Sequence, residues 1–285
     1  MSASTATTAV VDIFVGSAIV FILTFGLFLI YGLFRVVNMA HGDLVMLGAY
    51  FASVVQGRGI SFWMSVLAAA AGTAIIALLI DLSCVGRLRR RSPLATMLAT
   101  WGFSLILSQG ALILFGPSGR YVNPPVVGQV VFLGGVFSTY QLVLLLVAIV
   151  IFGATWIFLK ITTLGLHIRA VIDDASLAEL QGVNTARLFS AVFALGGAFS
   201  GFAGAVLAPF SAINPNVGSG FSITSFMVLI TGGLGNVVTA VSGALIVGGA
   251  RSIIATFSSV TVATVATLAI VAIILAARRA DADLG

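Results

Sequence analysis

Long runs of residues without a single charge constrain the fold of this chain more than any other feature of its sequence. The runs are Ile13–Phe34, Gly59–Ile80, Ser92–Gly119, Tyr121–Leu159, Leu188–Ala250 and Ser252–Ala277. A membrane-spanning helix needs about 20 apolar residues, so the runs hold roughly eight or nine such segments. The strict apolar–polar alternation that marks the strands of a membrane β-barrel is absent. The sequence therefore predicts an all-α, polytopic membrane protein with about eight or nine transmembrane or re-entrant helices.

The composition supports the same class. Only 7% of the residues are charged, whereas a soluble domain carries about 25%. The net charge is +5, but the arginines cluster at the ends of apolar runs, where they orient helices, so no nucleic-acid partner is expected. The single cysteine, Cys84, allows no internal disulfide and matches no metal-ligand spacing, and no cofactor is expected. We interpret residues 1–285 as one transmembrane domain with no separate soluble domain.

Basic clusters predict the topology, because positively charged loops stay in the cytoplasm. The clusters are Arg87 with Arg89, Arg90 and Arg91, then residues 160–187, then Arg278 with Arg279. The predicted segments are Val10–Phe34, Leu44–Val55, Ser61–Asp81, Leu94–Phe115, Gln141–Leu159, Leu188–Pro209, Phe221–Leu234, Val237–Ala250 and Val262–Ala277. The segments 221–234 and 237–250 are short and glycine-interrupted, so they either cross or form a re-entrant pair. Residues 116–140 and the turn at 214–220 are predicted to face outside.

The stretch Lys160–Arg187 is the only long polar island in the chain. Within it, Asp173–Gln181 is predicted to form a short amphipathic helix, with Leu177 and Leu180 on one face and Gly182 ending it. A polar helix between two spans, on the cytoplasmic side, is well placed to contact a soluble partner. The alternative is an ordinary solvated loop between spans.

A second unusual stretch is Asn38–Tyr50, NMAHGDLVMLGAY, which places Asn38, His41 and Asp43 at or inside the membrane boundary. Ionisable groups are costly there, so they are candidates for function. A helix broken near Gly42 could also aim backbone groups at a ligand, as discontinuous helices do in transporters. The alternative is an interfacial turn in which Asp43 caps a helix beginning at Leu44.

Glycines recur at spacings that favour close helix packing. Gly197, Gly201 and Gly204 follow one another at intervals of four and three residues, Gly196 directly precedes Gly197, and a similar set follows after Ala240. Small residues let helix backbones approach closely in lipid, where no hydrophobic effect drives association. We interpret most of these glycines as packing residues.

Enzyme chemistry finds little support in the sequence. The only histidines are His41 and His167, and no metalloprotease or serine-hydrolase motif is present. The chain's only lysine, Lys160, is followed by Ile161, so the phosphate-binding loop of nucleotide hydrolases is absent. Ser219 between two glycines is only a weak signal of an intramembrane hydrolase. Active transport by this chain would need an ion gradient or a separate ATPase, and the scarcity of charged residues in the spans favours the ATPase.

Four segments resemble the permease subunits of branched-chain amino acid ABC transporters. They are GLFRVVNMAHGDLVMLGAY (Gly32–Tyr50), IRAVIDDASLAELQGVNTARL (Ile168–Leu188), FALGGAFSGFAGAVLAPFSAINPNVG (Phe193–Gly218) and GGLGNVVTAVSGALIVGGARSII (Gly232–Ile254). The similarity covers most of the chain, in order. The family includes relatives that move urea or short amides, and these motifs do not separate those solutes from leucine, isoleucine and valine.

The resemblance implies a multi-pass permease of the bacterial cytoplasmic (inner) membrane, non-enzymatic in itself. It also implies two ABC ATPase subunits, a second homologous permease in a heterodimer, and an extracytoplasmic solute-binding protein. Residues 160–187 would then be the coupling loop that docks on an ATPase. The coupling residues would be Arg169, Asp173, Asp174, Ala178, Glu179, Gly182 and Arg187.

The substrate path is expected to use polar residues of the N-terminal motif and of the predicted outer turn. The candidates are Asn38, His41, Gly42, Asp43, Asn214, Ser222, Thr224 and Asn236. A different class of function stays open: a self-sufficient channel or ion-driven facilitator, with NMAHGD and NPNVGSG as breaks that line a pore.

Overall fold

The computed structural model describes residues 3–89, 92–132, 135–233 and 237–282. The helices there are α1 (Ala3–Phe34), α2 (His41–Gln56), α3 (Phe62–Ile80), α4 (Gly86–Leu88), α5 (Pro93–Phe115), α6 (Thr139–Ile161), α7 (Thr163–Asp173), α8 (Ala175–Leu180), α9 (Thr185–Leu207), α10 (Val217–Gly232), α11 (Val237–Phe257) and α12 (Val260–Ala282). A π-helical turn, Asp81–Val85, joins α3 to α4. Helix accounts for 81% of the structure and strand for 3%, which confirms the all-α prediction.

Six helices in the described part of the chain are long and apolar enough to cross a membrane. They are Thr7–Gly32, Phe62–Leu88, Pro93–Phe115, Thr139–Ile161, Thr185–Phe210 and Val238–Phe257. Val217–Gly232 and Thr261–Ala276 are shorter apolar helices, and α2 adds a further one of 16 residues. The prediction of a polytopic membrane protein with eight or nine helices is confirmed.

The chain forms two compact units. The first comprises residues 1–24, 126–151 and 224–285, and the second comprises residues 25–125 and 152–223. The division passes within α1, α6 and α10.

Glycines bring α2, α3 and α9 together in the second unit. A Cβ added at Gly204 would lie 1.8 Å from the carbonyl oxygen of Val45, and one at Gly48 would lie 2.3 Å from that of Gly201. A Cβ at Gly201 would lie 1.9 Å from Oγ1 of Thr73. Such close approaches are possible only because these glycines have no side chain, and they let the helices pack closely. The glycine spacing of α9 therefore acts as predicted.

The first unit contains a similar contact between α1 and α11 and a hairpin that was not predicted. A Cβ at Gly16 would lie 2.2 Å from Oγ of Ser252. The strands β1 (Gln129–Phe132) and β2 (Gly135–Ser138) pair antiparallel, inside the stretch 116–140 that was predicted to be a loop facing outside.

Two helix boundaries differ from the predictions. Helix α2 begins at His41 rather than Leu44, because the turn before it closes when the His41 N–H donates to the Asn38 carbonyl at 3.3 Å. Helix α10 begins at Val217, whose N–H donates to the Asn214 carbonyl at 3.2 Å. Residues 218–220 are therefore helical, and only 214–216 form the predicted turn.

Candidate functional site

The turn before α2 is held by its own side chains and by α5. The Asn38 side-chain oxygen accepts a hydrogen bond from the Ala40 N–H at 3.1 Å. The Met39 N–H donates to Oγ1 of Thr100 at 3.1 Å. Asn38 is fully buried, and its side-chain Nδ2 has no partner among the described residues. The break in the chain is therefore a fixed structure rather than a loose loop.

His41 begins α2 and contacts α9. Its ring is fully buried, and its Nδ1 lies 3.0 Å from Oγ of Ser200. The same hydroxyl donates to the Gly196 carbonyl at 2.8 Å. Because a hydroxyl has one proton, a Ser200 that donates to Gly196 accepts from Nδ1–H of His41. This contact orients the imidazole inside the helix packing.

Gly42 and Asp43 tie the start of α2 to α5 and α10. The Ser104 hydroxyl donates to Oδ2 of Asp43 at 2.5 Å, and the Gly42 N–H donates to Oγ of Ser222 at 3.1 Å. A Cβ at Gly42 would lie 2.0 Å from the Gly218 carbonyl oxygen. The interpretation of Asp43 as a helix cap is wrong, since the cap position is Ala40 and the buried carboxylate bonds α5 instead.

The structure brings most, but not all, of the expected path residues together. Asn38, His41, Gly42, Asp43 and Ser222 meet around the start of α2. Of the remaining three, Asn214 accepts from the Asn216 N–H in the turn before α10, Thr224 belongs to the first unit, and Asn236 falls outside the described residues.

The polar island folds into two helices rather than one. Thr162 caps α7 by accepting from the Gly165 N–H at 3.0 Å, a helix that was not predicted. Asp174 caps α8 by accepting from the N–H groups of Ser176 and Leu177 at 2.8 and 3.0 Å. The predicted start at Asp173 is wrong, because Asp173 ends α7 and the chain breaks at Asp174.

Gly182 ends the second helix as predicted. Its φ of 88° places it in the left-handed region that favours glycine. The Thr185 hydroxyl then donates to the Glu179 carboxylate, and Asn184 caps α9 by accepting from the Arg187 N–H at 2.9 Å. The island is thereby joined to α9 through a defined turn.

A small apolar cluster holds this segment against α9. It contains the buried residues Val171, Ala178, Leu188 and Val192. Among the expected coupling residues, only Ala178 belongs to this anchor. The side chains of Arg169, Asp173, Asp174, Glu179 and Arg187 are exposed, as are those of Leu177 and Leu180 at 53% and 86%.

The sequence reading missed a buried ionic network at the π-helical turn. Asp81 is 1% exposed, and its Oδ2 accepts from the Ser190 hydroxyl at 2.5 Å. Its Oδ1 lies 3.5 Å from Nη1 of Arg89. The Arg89 guanidinium also lies 4.0 Å from the ring centroid of Phe189 and donates to the Ala186 carbonyl. The signal available in sequence was an aspartate at the end of an apolar run, eight residues before an arginine.

Among the described residues, no group of three or more histidine, cysteine, aspartate or glutamate side chains could hold a metal ion. The arrangement around α2 instead joins helices, and the arrangement at α7 and α8 presents an exposed surface.

Comparisons with known proteins agree on one family. Residues 9–277 match the family described as "Branched-chain amino acid transport system / permease component". The chain is 28% identical over 255 residues to the high-affinity branched-chain amino acid transport system permease protein LivH of Salmonella typhimurium, covering 84% of this chain and 82% of that one. It is 28% identical over 248 residues to the corresponding permease BraD of Pseudomonas aeruginosa, covering 81% and 80%.

A shorter match extends to permeases named for other solutes. The fructose import permease protein FrcC of Rhizobium meliloti is 30% identical over 128 residues, which cover 42% of this chain and 35% of that one. No solved structure matches the chain. Since the family match spans nearly the whole sequence, the chain belongs to the permease components of the branched-chain amino acid transport systems.

Proposed function

We propose that this chain is a permease subunit of an ABC importer that moves leucine, isoleucine and valine across the bacterial cytoplasmic membrane. The relatives aligned over four fifths of its length are named for branched-chain amino acid transport. ATP is hydrolysed in two separate ATPase subunits, since this sequence lacks a phosphate-binding loop. A second homologous permease and an extracytoplasmic solute-binding protein complete the assembly.

The observation that carries this proposal is the form of the α7–α8 segment. Ala178 faces the anchoring cluster, while Leu177 and Leu180 point away from it into the exposed surface. An exposed pair of leucines on a capped helix is a typical docking surface for a groove in a soluble partner. Movement of an ATPase bound there would pass directly into α9, because only the turn 181–184 separates the two helices.

Leu180→Glu is expected to reduce solute-stimulated ATP hydrolysis by the reconstituted complex at least about tenfold, because burying a leucine side chain contributes about 1.5–3 kcal/mol. The same variant should co-purify less ATPase while inserting normally in the membrane. Val127→Glu is the matched control, since Val127 is 89% exposed in a loop predicted to face the opposite side. Gly182→Trp tests the same surface less specifically, because a tryptophan at the positive φ of Gly182 also strains the backbone.

Normal stimulation in Leu180→Glu would contradict the docking assignment and leave the segment a solvated loop. The channel or facilitator alternative has its own test in liposomes that contain this chain alone. Solute flux without ATPase would establish that alternative, and we expect none.

For the solute path, we propose the polar residues around the start of α2, with Asn38, His41, Gly42, Asp43 and Ser222 in contact there. Asn214, Thr224 and Asn236 are the further candidates. The burial of Asn38 and His41 means that the solute reaches them only when α2 and its neighbours separate. Alternating access in an ABC transporter supplies such a separation.

A further inference from the structure

Helices α2 and α5 run side by side in the same direction and meet along a seam of two hydrogen bonds and one aromatic stack. Successive contacts join Met39 to Thr100, Asp43 to Ser104, and Tyr50 to Phe115. Since the numbers rise together on both helices, the helices are parallel. In the predicted topology α5 runs outward, so Tyr50 and Phe115 lie toward the outer end.

Helix α5 is much less buried than α2. In α5 the buried residues are Thr96, Thr100 and Ala111, whereas α2 buries most of its length. Thr96, Thr100 and Ser104 follow each other at four-residue spacing and therefore share one face of α5. That face carries hydroxyl groups, whereas Phe103 and Leu107 of α5 pack against the apolar cluster that contains Leu44 of α2, so separation of α5 from α2 breaks both polar and apolar contacts.

An unpaired arginine stands at the outer end of the seam. The Arg120 guanidinium lies 5.1 Å from the ring centroid of Phe115, within the range of a cation–π contact. Its main chain is fixed, because the N–H and C=O of Arg120 bond the C=O and N–H of Ile213 at 3.0 and 2.8 Å. No carboxylate among the described residues lies within ion-pair distance of this guanidinium.

A buried hydroxyl without a partner belongs to the same stack. The Tyr50 ring is fully buried and lies parallel to Phe115, with centroids 4.4 Å apart and planes 9° apart. Its hydroxyl oxygen has no hydrogen-bond partner among the described residues. A buried donor left unpaired destabilises the state that contains it, so this hydroxyl favours a state in which an acceptor reaches it.

We propose that Arg120 and Tyr50 form the carboxylate-binding element of this permease at the outer end of the α2–α5 seam. Guanidinium and phenol are both donors, and a carboxylate offers only acceptors. Arg120 receives the solute's carboxylate first, and separation of α5 from α2 then opens the Tyr50 hydroxyl to it. This inference rests on the proposed function and names the chemistry that distinguishes an amino acid from urea or an amide.

The test measures binding of radiolabelled L-leucine to the purified permease complex in nanodiscs, without the solute-binding protein, with L-leucinamide as competitor. Arg120→Gln is expected to weaken leucine binding about 10- to 100-fold, because an ionic hydrogen bond is lost. Tyr50→Phe, which keeps the ring stack, should weaken it about fivefold. Arg58→Gln removes an exposed positive charge from the turn after α2 and should bind normally. Leucinamide, which lacks the carboxylate, should not compete in the wild type.

The carboxylate assignment would be overturned if Arg120→Gln bound leucine as tightly as the wild type does. Effective competition by leucinamide would overturn it as well. Unchanged leucine binding together with weaker association of the solute-binding protein would instead make Arg120 a docking residue for that protein. If Tyr50→Phe raised the Tm and left leucine binding unchanged, the Tyr50 hydroxyl would not belong to the binding site. No step of this assay involves ATP. The binding results can therefore be interpreted even if the proposed coupling to an ATPase is wrong.

Discussion

Gly204→Ala is expected to destabilise the protein by about 3 kcal/mol, the upper end of the range for overpacking a well-packed core. The added methyl carbon would lie 1.8 Å from the Val45 carbonyl oxygen and 2.9 Å from the Ala49 backbone nitrogen. Both neighbours are backbone atoms of α2, so no rotamer change relieves the clash. Helices α2 and α9 must move apart, and the packing of α3 against both is lost with them.

The matched control for this substitution is Gly102→Ala in α5. A Cβ at Gly102 meets no atom within 4 Å, and alanine is a better helix former than glycine by about 1 kcal/mol. The two identical chemical changes should therefore shift the Tm of the detergent-purified protein in opposite directions. A Gly204→Ala variant that is as stable as Gly102→Ala would contradict the close contact of α2 with α9.

The sequence predicts the membrane class and the position of the polar helix α8 because each depends on local information. Charge-free runs identify apolar helices whatever their neighbours are, and Gly182 and Asp174 determine the end and start of α8 through their own backbone and side-chain geometry. The spacing of the α9 glycines also predicts part of the packing, since residues four apart share one face of a helix: Gly197 and Gly201 both approach α3.

Contacts between distant parts of the chain could not be predicted in the same way. Ser104 and Asp43 are separated by 61 residues, and Ser190 and Asp81 by 109. No periodicity in an apolar sequence shows which hydroxyl will face a buried carboxylate. The interpretation of Asp43 as a cap failed for this reason: an interfacial aspartate near a helix start has a local partner in most proteins, but here it bonds a residue of α5.

The sequence of an apolar helix also does not show which of its faces is buried. Leu177 and Leu180 on α8 and Ile113 and Leu114 on α5 are equally hydrophobic and exposed, yet the former lie on the polar island and the latter on a helix long enough to span lipid. Exposure alone therefore does not separate a docking surface from a lipid-facing one. The position of each residue relative to the charge clusters makes that distinction.

Asp81→Ala is expected to destabilise the second unit by about 3–5 kcal/mol, because it leaves Arg89 buried without its carboxylate. The Arg89 side chain is 9% exposed, so water replaces the lost partner poorly. The aspartate also accepts from the Ser190 hydroxyl, so its loss removes a hydrogen bond between the π-helical turn and α9. Urea or thermal unfolding of the detergent-purified protein measures this effect.

The matched control is Arg87→Ala, two residues before Arg89 and exposed, which should change stability by less than about 1 kcal/mol.

The double variant Asp81→Leu with Arg89→Met is expected to recover most of the lost stability, since apolar replacement of a buried ion pair is often neutral or favourable. Because α9 follows the proposed coupling loop (residues 160–187) directly, that double variant also separates two roles of the network. Recovered stability with poor solute-stimulated ATP hydrolysis would show that the ion pair transmits movement from α8 into α3, whereas recovery of both would make it a structural contact only. We expect the first result, since Asp81, Arg89 and Ser190 connect the start of α9 to the helix with which α9 packs along its length.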